Sequence, residues 1–307
     1  KWPRGNHLPL YLWPVMDLET EDETEIEKVL RQLDQRGIGL TSTWHPANYE
    51  QSLAQGLRVG RVQKQLGLSV GINANPCTCS FFNGDPLTAH VDQNEERFFD
   101  SSFGSGHQMG CPFAIDFRLP EMRKQVEDFV HAYQQSDVAI NFVFADWEVD
   151  GPIEWNGAWE ASKRCQRCCA EIGDIADFHA FQSALRQKRS QLQRVMLADS
   201  VTSYFPDALV GNYAVYPHDG YRYWYDYFEQ FVEDSPHKRE GSARYRQWFH
   251  EFPLTGYTCA MPVVYTWDTI WDWYDFDSSD YRWFYNMLKV GNNAAQSIQN
   301  TKSAAAP

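Results

Sequence analysis

Short apolar runs alternate with amphipathic stretches along most of the chain. The pattern predicts a strand at Leu8–Met16 and then a helix that begins after the acidic segment Glu19–Glu25 and ends before Gly37. Acidic residues at the start of a helix suit the positive end of its dipole. The first forty residues are therefore predicted to form one strand–helix unit.

The same unit recurs further along the chain. Further strands are predicted at Ile38–Trp44, Leu68–Asn73, Ala139–Glu148, Val195–Asp199, Leu209–Val215 and Tyr257–Tyr265. Further helices are predicted at Tyr49–Leu66, Pro120–Gln134, Cys165–Gln193, Tyr221–Glu233 and Tyr281–Val290. About seven such units predict an α/β fold of the (β/α)8 TIM-barrel type rather than a doubly wound sheet. No eighth strand is visible, so the predicted barrel is incomplete, truncated there, or closed by residues near Val290.

The chain contains no Gly/Ser/Pro-rich linker, and residues 1–307 are predicted to form a single barrel domain. One segment, residues 75–110, lacks the period of a helix or a strand and carries His90, His107 and two cysteines. Because this inserted loop follows the third predicted strand, it is expected on the C-terminal face, where barrel enzymes keep their active sites. It is either a functional loop or a packed insertion.

The fourth predicted strand ends in two carboxylates, Asp146 and Glu148. Side chains alternate along a strand, so these two residues share a face. Like charges in one pocket raise the pKa of one partner, which makes it a proton donor of the kind that glycosidic cleavage needs. The alternative is that the acids pair with arginines or cap a helix, but no Lys or Arg occurs between Val138 and Ala161.

The Asp146-Trp147-Glu148 triplet resembles the D-x-E end of strand four in chitinase-like barrel glycoside hydrolases of the family 18 type. The resemblance covers about ten residues and the repeating architecture, and it implies Glu148 as general acid with Asp146 as its partner. Phe144 and Asn141 stand where that pattern has further acids. The resemblance therefore leaves an N-acetyl substrate and a substrate-assisted mechanism open.

The seventh predicted strand brings a second cluster, Tyr265, Trp267 and Asp268. Tyr265 is a candidate hydrogen-bond donor to the sugar, and Asp268 is the nearest carboxylate for the nucleophile that retaining barrel hydrolases carry there. Core packing is the alternative explanation for these aromatic residues. The remaining candidate substrate-binding residues lie at or beyond predicted strand ends: Trp13, Trp44, His45, Trp147, Asp150, Asp199 and Tyr213.

Composition narrows the class of partner. The formal net charge of -14 and the absence of a basic stripe argue against nucleic acid, and no apolar run is long enough to cross a membrane. The 12 Trp and 16 Tyr fall largely at predicted strand ends, where aromatic rings can stack on sugars. A carbohydrate is thus the expected substrate. The protein is expected to be secreted or periplasmic. The oligomeric state stays open.

The seven cysteines include the run Cys165-x-x-Cys168-Cys169, which resembles half of a zinc or redox site. Cys77 and Cys79 are the candidates for a second pair, but no sequence rule connects them to the first. Disulfides or free structural thiols are therefore favoured over metal binding, and the predicted active site contains no metal and no cofactor.

Together these features predict a glycoside hydrolase that cleaves a polysaccharide or oligosaccharide, with Glu148 as general acid and Asp146 or Asp268 as second carboxylate. Two other classes stay open. One is a non-catalytic carbohydrate-binding barrel, and the other is a metal-dependent hydrolase that uses His and Asp at strand ends.

Overall fold

The computed structural model describes residues 10–12, 18, 20–78, 84–101, 106, 108–114, 116, 118–146, 156–213, 215 and 252–261. The chain divides into two compact units, each built from several segments. Unit 1 comprises residues 1–79, 120–147 and 195–211, and unit 2 comprises residues 80–119, 148–194 and 212–307. The organisation as a single domain stays a prediction.

A sheet of five strands is present among the described residues. Its strands are β1 (Leu10–Leu12), β2 (Ile38–Thr43), β3 (Gly71–Asn73), β6 (Phe142–Ala145) and β7 (Leu209–Asn212). They lie side by side in chain order, and the pairs β1–β2, β2–β3 and β3–β6 are parallel. A doubly wound sheet reverses its strand order at a switch point. The described strands show no reversal, so the parallel α/β prediction is confirmed and the order is compatible with a barrel, whose closure the described residues do not include.

Three helices of unit 1 connect these strands: α1 (Glu23–Asp34), α2 (Tyr49–Gln65) and α3 (Leu119–Gln135). Asp22 caps α1 by accepting a hydrogen bond from Thr24 N at 2.9 Å. Gly37 and Gly67 follow α1 and α2 with φ of 74° and 64°, a left-handed conformation that favours glycine. The C-terminal ends predicted for these two helices are therefore confirmed, since each helix ends just before its glycine.

The core of unit 1 forms where α1 and α2 pack on one face of the sheet. Leu40 of β2 lies in a buried cluster with Leu18, which precedes α1, and with four residues of the two helices: Ile26, Leu30, Val59 and Val62. Gln63 of α2 is buried too, and its amide donates to Leu40 O at 2.9 Å. Apolar packing and this hydrogen bond fix α2 against β2.

Unit 2 contains residues 80–110 of the inserted loop and the helices that follow β6. In its described residues, the loop forms a two-stranded antiparallel hairpin, β4 (His90–Val91) and β5 (Arg97–Phe98), together with short helical turns. The helices are α4 (Asn156–Arg164), α5 (Gln166–Glu171) and α6 (Phe178–Gln193). Across both units, none of the described helices combines the length and apolar character needed to span a membrane.

One predicted strand, Val195–Asp199, is wrong. Residues Arg194–Ala198 continue α6 as a π-helical turn, and α7 (Asp199–Thr202) follows directly. Met196, Leu197 and Ala198 are all buried, and a short apolar run of this kind has no period that distinguishes a strand from a buried helix. Asp199 therefore begins a short helix and does not end a strand.

The other predicted elements of the C-terminal third fall mainly outside the described residues. This applies to the helices at Tyr221–Glu233 and Tyr281–Val290 and to any eighth strand. Of the predicted strand Tyr257–Tyr265, residues 257–261 are described, and they contain one bridge residue, Ala260.

Candidate functional site

The two faces of the sheet are distinguished by what their side chains contact. Trp44, directly after β2, is fully buried and stacks on Phe129 of α3, with ring centroids 5.1 Å apart. Leu40 and Trp44 thus point toward the helices. Because side chains alternate, Thr41 and Thr43 point to the opposite face.

A polar row formed by Thr43 and Asn73 lies on this opposite face at the C-terminal ends of β2 and β3. Thr43, Asn73 and Phe144 are register partners in β2, β3 and β6. Asn73 is buried, and its Nδ2 donates to Thr43 Oγ1 at 3.4 Å. Its Oδ1 accepts from Asn75 N at 3.0 Å, which shapes the turn after β3. One hydrogen bond of Asn73 therefore links β3 to β2, and the other fixes the turn that follows β3.

Asp146 continues this row beyond β6. It lies two residues after Phe144, whose ring stacks on Phe142 with centroids 5.6 Å apart, so strand alternation places Asp146 on the same face. The residue is half-buried, and one of its carboxylate oxygens is shielded from solvent. In the parallel arrangement, this is the end of the sheet where α/β enzymes bind substrates.

His45 lies at the same end of β2. Its backbone N donates to Ser52 Oγ at 3.0 Å, and Ser52 Oγ donates to Thr43 O at 2.9 Å. These bonds fix the chain where it leaves the strand, and the His45 side chain is exposed. His45 is therefore exposed at the strand end, and its role as a substrate-binding residue stays a prediction.

Two further candidate substrate-binding residues, Trp44 and Asp199, lie in surroundings that differ from the predicted strand ends. Trp44 has no exposed surface on which a sugar could stack, so it belongs to the core and not to a binding cleft. Asp199 lies half-buried at the start of a helix. Tyr213 follows β7 directly and is half-buried, so its predicted position after a strand is retained.

Seven predicted site residues lie outside the described residues. They are Trp13, Trp147, Glu148, Asp150, Tyr265, Trp267 and Asp268. Of the two carboxylates predicted at the end of the fourth strand, the structure describes Asp146 only.

A second group of reactive side chains was not predicted from the sequence. In unit 2, His90, Cys111, Cys165 and Cys168 are all buried, and one ligand atom from each lies within 4.8 Å of the others. The Sγ atoms of Cys111 and Cys168 are 3.5 Å apart, and Cys168 Sγ is 4.0 Å from His90 Nδ1. Cys165-x-x-Cys168, which resembles half of a zinc or redox site, thus lies in one cluster with Cys111 and His90. Disulfides or free thiols were the favoured expectation for these cysteines, and Cys79, a candidate for the second pair, lies outside the described residues.

The thiols of this cluster influence each other strongly. Hydrogen bonds with Cys111 and Cys168 lower the pKa of Cys165 below its usual range. Hydrogen bonding to Cys165 raises the pKa of Cys111 to about 12. Among the described residues of this cluster, no disulfide joins Cys111, Cys165 or Cys168. A disulfide framework is therefore not supported for these residues.

Comparison with known proteins gives little support for a specific family. No protein-family profile matches the chain, and no curated protein matches it. A solved structure, alpha-L-fucosidase isoenzyme 2 from Paenibacillus thiaminolyticus, is similar with a TM-score of 0.40 and 12% identity. The similarity covers 69% of this chain and 33% of that one, so the chain spans about a third of its length. A similarity of this extent does not establish a shared activity, and the resemblance to family 18 is not supported.

Proposed function

We propose that the protein is a glycoside hydrolase whose active site lies at the C-terminal ends of the parallel strands of a (β/α)8 barrel. The observation that carries this proposal is the position of Asp146. The residue follows β6 on the face opposite the helices, in line with the polar row of Thr43 and Asn73. Barrel enzymes carry their catalytic groups at this end of the parallel strands, and Asp146 places a half-buried carboxylate there.

The proposed chemistry divides the work between two carboxylic acids. Glu148 is two residues beyond Asp146, and in the proposal it protonates the glycosidic oxygen as the leaving group departs. Asp146 or Asp268 supplies the second carboxylate, which either attacks the sugar or activates water. The separation between the two carboxyl groups decides which: about 5 to 5.5 Å for retention and about 6.5 to 9.5 Å for inversion.

Substrate recognition in this proposal relies on residues around the strand ends. His45 is exposed after β2, and Tyr213 follows β7. Tyr265 is proposed to hydrogen-bond the reacting sugar, while Trp13, Trp147 and Trp267 stack on sugar faces and Asp150 holds hydroxyl groups. Trp44 is removed from this set because it packs beneath α3.

A screen of oligosaccharides and polysaccharides tests the proposal. The purified protein is incubated with each glycan, and released reducing ends are measured alongside binding by calorimetry. We expect release from at least one glycan. Binding without release would replace the hydrolase by a carbohydrate-binding protein, and neither binding nor release across neutral and amino sugars would reject both.

The position of the cysteine–histidine cluster does not favour the alternative of a metal-dependent hydrolase. Its four side chains are His90 in the inserted loop, Cys111 directly after that loop, Cys165, and Cys168 in α5, and none lies at the strand ends of the parallel sheet that the alternative requires. A metal ion in the purified protein therefore does not by itself indicate metal-dependent hydrolysis. Glycan cleavage by protein freed of metal and still folded would exclude the alternative.

A further inference from the structure

We propose that His90, Cys111, Cys165 and Cys168 form a structural zinc site that holds the inserted loop against the helices following β6. The proposal concerns residues outside the proposed active site and stands independently of it. All four side chains are buried and converge within 4.8 Å, on elements that belong to one compact unit.

The distances in the cluster fit tetrahedral zinc. With Zn–S bonds of about 2.3 Å, tetrahedral geometry places two sulfurs about 3.8 Å apart, and a sulfur and an imidazole nitrogen about 3.6 Å apart. The observed separations are 3.5 Å between Cys111 Sγ and Cys168 Sγ and 4.0 Å between Cys168 Sγ and His90 Nδ1. The ligand atoms are thus close to the positions that the ion requires.

The ligand set also selects the type of metal and its role. Three thiolates and one imidazole favour zinc over calcium or magnesium, which take oxygen ligands. A Cys3His set fills all four positions of a tetrahedral ion, whereas catalytic zinc keeps one position for water or substrate. The burial of all four side chains agrees with a closed, structural site.

The backbone brings together His90 in the inserted loop and Cys111, which directly follows the loop. Cys111 N donates to Thr88 O at 2.7 Å, two residues before His90. Gly110 permits this approach, because a Cβ at that position would collide with the same carbonyl oxygen of Thr88. The ring of Phe98 in β5 stacks on the His90 ring, with centroids 5.1 Å apart, and orients it from the other strand of the hairpin.

The other two ligands lie at the start of a helix. Cys165 occupies the N-cap position of α5 and Cys168 lies in the first turn, an arrangement in which a C-x-x-C pair can hold one ion. The neighbouring Cys169 is exposed, and its thiol faces the backbone oxygen of Lys163 at 3.3 Å. Cys169 therefore lies outside the cluster and serves as a matched control.

A metal ion at this position would stabilise a segment whose described residues form little regular structure. The described part of the loop contains two strands of two residues each and helical turns of three residues. Apart from the cluster, it is joined to α5 by hydrogen bonds such as that from Arg167 to Ala89 O at 3.3 Å. Structural zinc sites contribute folding free energy directly, so the loop is expected to depend on the ion.

Metal analysis of wild-type, Cys168→Ser and Cys169→Ser protein tests the proposal. Each variant is expressed with zinc and dialysed, and bound metal is measured by mass spectrometry. We expect one zinc per chain in the wild type and in Cys169→Ser, and loss of zinc in Cys168→Ser. A wild-type protein without bound transition metal, or a Cys168→Ser variant that retains the wild-type zinc content, would overturn the proposal.

A second measurement covers the case in which Cys168→Ser does not fold. The wild-type protein is loaded with Co²⁺, and its visible absorption is compared with that of His90→Cys, which keeps four ligands. We expect the bands of tetrahedral cobalt with thiolate ligands in both proteins, altered in position by the fourth sulfur. Octahedral cobalt spectra, or disulfides among Cys111, Cys165 and Cys168 in the wild type, would reject the site.

Discussion

The Trp44 and Phe129 rings stack almost in parallel, with an interplanar angle of 5° and centroids 5.1 Å apart. Tyr133, one turn further along α3, meets Trp44 edge-on at 5.9 Å. All three side chains are fully buried. This contact joins the end of β2 to α3, and it identifies which face of the sheet packs against helices and which face carries Thr43, Asn73 and Asp146.

Trp44 is expected to act on stability and not on sugar binding. Trp44→Ala should lower the free energy of unfolding by about 3–5 kcal/mol, because it removes a large buried ring and leaves a cavity. Trp44→Phe should cost less, since it keeps an aromatic contact with Phe129. Urea unfolding measures both changes. Unchanged stability in Trp44→Ala, together with lost glycan binding, would return Trp44 to the active site.

Gly56 of α2 is predicted to be required by its contact with Tyr133. A Cβ at Gly56 would meet the buried Tyr133 hydroxyl at less than any ordinary contact distance. Gly56→Ala should therefore destabilise the protein by about 1–3 kcal/mol, although alanine is the better helix former. In a Tyr133→Phe background the same substitution should cost less, because the colliding oxygen is gone. An equal cost in both backgrounds, measured by a double-mutant cycle, would contradict the contact.

The position of Asn141 shows how a sequence resemblance and a structural role can diverge. In the chitinase-like pattern this position carries an acid, but here Asn141 Oδ1 accepts a hydrogen bond from Val70 N at 2.8 Å. Asn141 N also donates to Val70 O at 2.9 Å. The residue thus fixes the entry of β6 next to β3, and it acts on register instead of on chemistry.

Removing this side chain should weaken the sheet without affecting turnover. Asn141→Ala leaves the Val70 N–H without its acceptor, and Val70 is buried, so we expect a loss of about 1–3 kcal/mol in unfolding free energy. Asn141→Asp keeps an acceptor oxygen and should lose less. A lower kcat with an unchanged free energy of unfolding in Asn141→Ala would instead indicate a catalytic role for Asn141.

Much of unit 1 could be predicted because its signals are local. The periodicity of α1 and α2, the glycines at 37 and 67 and the Pro120 near the start of α3 each act within a few residues. The strand order then follows from regular alternation of strands and helices. The strand predicted at Val195–Asp199 was wrong because a short buried strand and a short buried helix have the same apolar composition.

The cysteine–histidine cluster could be predicted only in half. Cys165-x-x-Cys168 is a local signal, but Cys111 and His90 lie 57 and 78 residues before Cys168. Their approach depends on a loop without periodicity, on the Thr88–Cys111 hydrogen bond and on the absence of a side chain at Gly110. The burial of Trp44 could not be predicted from the sequence either, since a tryptophan at a strand end can pack in a core or stack on a sugar.

Asp146→Asn tests the described half of the proposed catalytic pair. The substitution keeps the shape of the side chain and removes its charge, so we expect kcat to fall by about 10²-fold or more with little change in unfolding free energy. Asp137→Asn is the control, because Asp137 is exposed and asparagine tolerates its left-handed backbone, with φ of 56°. Full activity in Asp146→Asn would remove Asp146 from the mechanism.

The most direct test of the account is the turnover of Glu148→Gln on a glycan that the wild-type protein cleaves. Glutamine keeps the size of the side chain but has no acid proton to donate, so kcat/KM should fall by about 10² to 10⁴-fold. Glu160→Gln, at an exposed position in α4, controls for the loss of one charge and should keep wild-type activity. Unchanged kcat/KM in Glu148→Gln would contradict the proposed mechanism.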